Sequence, residues 1–154
     1  MPQPVFDPTK VKATMDIFPK GDYEVLIGEP KSFIRQAGKD KHDSYGVRFP
    51  YRIKEAGEYF DKTGVHTIYH HAPGAAGMNK QFLMAALGYG KGEKEEARFD
   101  AEQAGKDFSC DYETGAVGDF YRELTGRRVI MSTEPQQNKE TGEPSNNARG
   151  WRPV

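Results

Sequence analysis

The 154-residue sequence holds a single cysteine, Cys110, which excludes an internal disulfide framework and any cysteine-rich metal cluster and fits a reducing compartment. No stretch approaches the roughly 18 apolar residues that a membrane-crossing helix needs, and the first residues lack the basic and apolar regions of a secretory signal. A cytoplasmic protein is expected. Charge of either sign is nearly cancelled: 22 Lys+Arg stand against 23 Asp+Glu for a net charge of -1, which counts against long-range steering of the whole molecule towards a polyanion.

What is present is less uniform. Between Glu93 and Glu113 eight acids (Glu93, Glu95, Glu96, Asp100, Glu102, Asp107, Asp111, Glu113) face three bases (Lys94, Arg98, Lys106), a local charge of -5, so the remainder carries +4. This stretch reads as a solvated insertion at about 90–117. Nine Phe, eight Tyr and one Trp make 12% of the chain aromatic while only 36% is hydrophobic, which suits either a small ring-filled core or a surface that stacks flat ligands.

Residues 1–18 are proline-punctuated and aperiodic and predict a flexible arm; residues 19–154 suit one domain. A turn at Pro19-Lys20-Gly21-Asp22 leads into Tyr23, Val25 and Ile27, a first strand bent by Gly28-Glu29-Pro30 and resuming through Ser32 to Arg35. From Ser44 to Lys54 period two is unambiguous: Tyr45, Val47, Phe49, Tyr51 and Ile53 share one face, and Arg48, Pro50, Arg52 and Lys54 the other. Pro50 lacks a ladder donor, which predicts an edge position or a bulge. Tyr59-Phe60, a turn at Asp61 to Gly64, and Val65 to His71 complete a hairpin. Asn79 is placed to cap a helix bearing Phe82, Leu83, Ala86 and Leu87 that ends at Gly88, and Gly118 to Leu124 suggests a second, short helix. Arg127 to Thr133 and Asn146 to Val154 form a closing hairpin around a polar loop. Five antiparallel strands with a helix between the third and fourth predict a mainly β protein, a five-stranded OB-fold barrel with one or two helices.

Sequence-tolerant capture of an unpaired nucleic-acid strand needs cations along a groove and exposed rings on which bases stack. The cations Arg48, Arg52 and Lys54 lie on one strand face with no intervening acid. Arg127 and Arg128 open a neighbouring strand, and Arg149 and Arg152 flank Trp151 beside Gly150. Outward ring candidates are Tyr59, Phe60, Tyr69 and Trp151, each of which could equally be buried. His66, His70 and His71 lack the spacing of a metal site, with neither His-Glu-x-x-His nor Cys-x-x-Cys present. Gly88-Tyr-Gly-Lys-Gly92 lacks the Gly-Lys-Ser/Thr ending of a phosphate loop. No nucleophile, nuclease cluster or cofactor motif is recognisable, so no catalysis, metal or cofactor is expected.

The segments Phe18-Pro-Lys-Gly-Asp-Tyr-Glu-Val25, Gly46-Val-Arg-Phe49, Asn79-Lys-Gln-Phe-Leu-Met-Ala-Ala-Leu-Gly88, Gly126-Arg-Arg-Val-Ile130 and Asn146-Asn-Ala-Arg-Gly-Trp-Arg-Pro153 appear in an order that resembles phage single-stranded-DNA-binding proteins of the OB-fold class, a family formerly catalogued as a domain of unknown function. The resemblance spans about residues 17–154. It implies sequence-independent coating of exposed strands in phage DNA replication or recombination, in the host cytoplasm. Replication or recombination proteins and further copies of the chain are candidate partners; a membrane is not. The acidic insertion and the want of a long acidic C-terminal tail depart from the family, which leaves partner recruitment in question. Two other readings stand beside it: a structural or adaptor protein whose acidic insertion docks a protein partner, and a small nucleic-acid enzyme using the histidines.

Overall fold

A computed structural model of the protein describes residues 9, 18–36, 43–137, 142 and 144–154; the predicted arm, apart from Thr9 and Phe18, lies outside them. The element order is β1 (Gly21–Ile27), β2 (Lys31–Arg35), β3 (Ser44–Ile53), β4 (Thr63–Tyr69), a 3-10 turn (Pro73–Ala75), α1 (Ala76–Ala86), α2 (Glu93–Gln103), α3 (Asp119–Arg122), β5 (Arg128–Gln137) and β6 (Pro144–Pro153). One antiparallel sheet runs β2-β3-β1-β5-β6, with β4 added to β3. Counting β1 and β2 as one interrupted strand, the pairings and the helix between β4 and β5 give a mainly β, OB-like architecture, curled as a half-barrel.

The alternation of β3 drives this arrangement. Its odd positions Val47, Phe49, Tyr51 and Ile53 are buried, while Arg48, Pro50 and Arg52 are exposed. They join Val25 and Ile27 of β1, Ile68 of β4, and Val129 and Met131 of β5 in the core. Each such aliphatic or aromatic side chain contributes about 1.5–3 kcal/mol by leaving water. Phe82 of α1 enters from one end, its ring 5.0 Å from Phe49 and 4.6 Å from Trp151 of β6. Phe18, assigned by sequence to the arm, is fully buried beside Tyr23 and Tyr59, so the domain begins at least one residue earlier than expected.

Pro50 corrects another expectation. It is neither on an edge strand nor at a bulge, because β3 is paired on both sides. Within a strand a residue's N–H and C=O point the same way, and the Pro50 carbonyl accepts the Gly28 N–H (2.7 Å). Its missing donor therefore falls where the neighbouring strand breaks between Ile27 and Lys31, and no ladder bond is lost there. The helix start also differs: α1 begins at Ala76 with no side-chain cap, and Asn79, in its first turn, donates instead to the Tyr69 carbonyl (3.1 Å). Gly88, at φ 90°, ends the helix as the sequence predicts.

The acidic insertion is not uniformly solvated. Helix α2 exposes its charges but buries Phe99, and Lys80 of α1 bridges to Glu96 and Asp100 (2.9 and 2.8 Å). Further on, the turn held by the Cys110–Val117 bridge lies along β2: the Ser32 N–H donates to the Gly115 carbonyl (3.0 Å), and its hydroxyl sits 2.6 and 2.8 Å from the carbonyls of Asp111 and Ala116.

Gly46 lies in register between Phe33 of β2 and Tyr69 of β4, and a methyl group there would collide with the backbone carbonyl of Ile68. Gly46→Ala should cost about 1–3 kcal/mol in denaturant-unfolding free energy, as overpacked sites do. Gly150→Ala, whose added carbon meets nothing within 4 Å, should change it by less than about 0.5 kcal/mol.

Candidate nucleic-acid interface

Because β-pairing puts register partners on the same face, the outer surface of β2, β3 and β4 can be read in rows. Lys31, Arg48 and Thr67 form one row, and Phe33, Gly46 and Tyr69 the next, with Arg35 beyond them on β2. The Arg48 guanidinium sits 4.1 Å above the Phe33 ring, a cation–π contact that leaves its outer N–H groups free to meet an anion. The Tyr69 ring meets Phe33 edge-on at 6.1 Å and is 43% exposed. Without a side chain on Gly46, these rings can close over the strand between them. Among the described residues no carboxylate lies within ion-pairing range of Lys31, Arg35 or Arg48.

The other cations expected at the site are all engaged. Lys54 and Arg52 converge on Asp61 (Nζ to Oδ1 2.8 Å; Nη1 to Oδ2 3.8 Å), and the Lys54 hydrogen bond chiefly holds that carboxyl below its usual range. Arg128 reaches Glu24 (3.4 Å), Arg149 reaches Glu134 (3.3 Å) and Arg152 reaches Asp22 (2.8 Å). Ser132 donates to the same Asp22 carboxylate at 2.6 Å, and with Arg152 lowers its pKa. Arg127 donates to the Glu123 carbonyl at 3.5 Å. The outer face of β1, β5 and β6 thus pairs most of its cations with carboxylates, whereas Lys31, Arg35 and Arg48 form a group on β2 and β3 without one among the described residues.

Two of the expected stacking rings turn inward. Trp151 is only 6% exposed and packs against His66 and Phe82, each 4.6 Å away. Tyr59 is half-buried among Phe18 and Tyr23. Of the predicted residues, the structure brings Arg48 and Tyr69 together, gathers Arg52 and Lys54 around Asp61, and leaves Arg127, Arg128, Arg149 and Arg152 on or beside β5 and β6. Lys31, Phe33 and Arg35 were missed; their alternation was visible in Lys31-Ser-Phe33-Ile-Arg35, which puts two cations and a ring on one face of a strand.

The sheet does not close. The β4 and β6 strands face each other across a cleft of about 330 Å3 lined by His66, Thr67, Asn147 and Trp151, among others. Burial pushes the His66 imidazole down to about 4 and lowers that of His70 as well. His70 lies 2.8 Å from the Tyr112 hydroxyl and 3.3 Å from that of Tyr121. No group of three or more His, Cys, Asp or Glu among the described residues is placed to hold a metal ion, and no helix is long and apolar enough to cross a membrane.

A histidine that stays neutral when folded but protonates below about 6.5 when unfolded makes the unfolded chain bind more protons between those values. That contribution to stability is complete above about pH 6.5 and is lost as pH falls towards 4. Asp22, Asp61, Asp107 and Asp111, with lowered pKa values, add their own loss only as pH falls through about 3.8. Denaturant midpoints should therefore decline from about pH 7 to 4.5, and His66→Asn should flatten much of that decline, His70 keeping the rest. Neither a scan against protein-family models nor a search of curated proteins matches this chain.

Proposed function

We propose that the protein binds single-stranded DNA without catalysis and without sequence preference, on the outer face of β2, β3 and β4. The observation that carries this reading is the group of Lys31, Arg48 and Arg35, cations with no carboxylate partner among the described residues, on the same sheet face as Phe33 and Tyr69. Phosphates would meet the cations as bases stack on the exposed Tyr69, which the buried Phe33 supports edge-on, a combination that tolerates any base because every base has a π face. Part of this surface, on β3 and β4, belongs to the second and third barrel strands, which OB folds present to oligonucleotides; β2 adds the second half of the first strand beside them. The resemblance to phage single-stranded-DNA-binding proteins supports the same reading and adds a role in replication or recombination.

The adaptor reading is favoured less. Four of the five acids of α2 are already taken by bases of the same chain: Glu96 and Asp100 by Lys80, Glu95 and Glu102 by Arg98. The downstream turn is folded onto β2 through its backbone carbonyls, while its acids Asp107, Asp111 and Glu113 stay exposed.

Fluorescence anisotropy with labelled oligo-dT at low salt should give saturable binding at micromolar protein that duplex DNA does not compete away; no binding there rejects the reading. Tyr69→Ala should weaken it about tenfold, within the range of one lost stacking contact. Arg48→Ala should weaken it and lower the salt slope by roughly 0.7, the value for one phosphate contact on a single strand. Arg152→Ala, on the charge-paired face, should bind as the unaltered protein does.

A further inference from the structure

We infer that the cleft between β4 and β6 is a pocket for one unstacked, uncharged nucleobase, reached from the strand that crosses Tyr69. This deepens the single-stranded-DNA reading and rests on it. No Lys, Arg, Asp or Glu lines the cleft, so it is unsuited to a phosphate or to any charged ligand. Its volume of about 330 Å3 lies at the small end of the roughly 300–1,000 Å3 typical of ligand pockets.

The lining sets rings beside hydrogen-bonding groups, of which Asn79 and Asn146 are spent on the fold, towards the Tyr69 carbonyl and the Phe18 N–H, and others are not. Tyr51, His66 and Trp151 supply flat surfaces. The His66 ring nitrogens, the Thr67 hydroxyl and the Asn147 carboxamide form no hydrogen bond among the described residues; these residues are held by their backbones, in the β3–β4 and β5–β6 ladders and by the Thr133 hydroxyl on the Asn147 carbonyl at 3.0 Å. Neutral imidazole has one donor and one acceptor, and a carboxamide has both. Together they match the mixed donors and acceptors on a base edge, while the rings match its faces, as in pockets that accept bases splayed from single strands. Polar groups left unspent beside rings are unsuited to a purely apolar ligand, which would strand them without partners. Tyr69 joins the two surfaces, lining the cleft and standing beside Phe33 on the cationic face.

The chain has one tryptophan; it is in the cleft wall and also borders a second pocket beside Tyr89, so its emission reports a bound ring and the cleft substitutions assign the place. Titrating the full chain with each of the four deoxynucleosides, excited where only indole absorbs, should give a saturable change in Trp151 emission at millimolar nucleoside. Deoxyribose 5-phosphate at the same concentrations should give none. Asn147→Ala and Thr67→Val should each weaken the nucleoside response severalfold. The pocket is overturned if no nucleoside gives a saturable change, if the sugar phosphate alone reproduces it, or if neither substitution alters it. Anisotropy with oligo-dT, run in parallel, separates the two claims: strand binding without a nucleoside response removes the pocket and leaves the outer face standing, whereas a nucleoside response without strand binding removes the single-strand reading and leaves a pocket for free nucleosides.

Discussion

Residue parity along β3 decides which side of the sheet each chemical group occupies, and most of the protein follows from it. β3 is hydrogen-bonded to β2 and β1 on one side and β4 on the other, so a slip of one residue would turn Val47, Phe49, Tyr51 and Ile53 to water and carry Arg48 and Arg52 into the core. The cost of burying unpaired guanidinium groups makes that register untenable. A proline in such a strand is tolerated because the partner strand breaks opposite it, and the same break lets the sheet curl around Phe49 and Phe82. Core and outer face are therefore two consequences of one alternation.

The number of cations says little about where an anion would be attracted; their partners say more. Exposed ion pairs such as Arg128 with Glu24 or Arg152 with Asp22 add little to stability, but each replaces a positive charge by a dipole whose field fades within a few ångströms. A chain with net charge -1 can in this way hold a locally positive strip on β2 and β3, since a large part of its acid is matched on α2 and along β1, β5 and β6.

Strand order, the helix after the third barrel strand and the stop at Gly88 were legible because period two, helical spacing and glycine's access to positive φ are local properties of the chain. The inward face of β3 was legible for the same reason. Pairings over long separations were not: Asp22 and Arg152 meet across 130 positions, and nothing near either residue announces the other. Trp151 lies between two arginines and reads locally as a surface ring, yet the pleat of β6 turns it towards Phe82 and away from Arg152, and the bulge opposite Ser132 and Thr133 leaves Arg149 exposed. Lys31, Phe33 and Arg35 carry a readable period-two signal, obscured because Gly28-Glu29-Pro30 makes the segment look like the continuation of a bent strand. The docking of the Cys110–Val117 turn depends on backbone carbonyls meeting Ser32, which composition cannot express.

That docked turn has a consequence for assembly. By occupying the flank of β2 it hides backbone groups that would otherwise be open to a neighbouring strand, and the remaining ends of the sheet, β4 and β6, look at one another across the gap between them. A second chain approaching that flank would therefore meet the side chains and turns of the docked segment and find no open ladder to extend there.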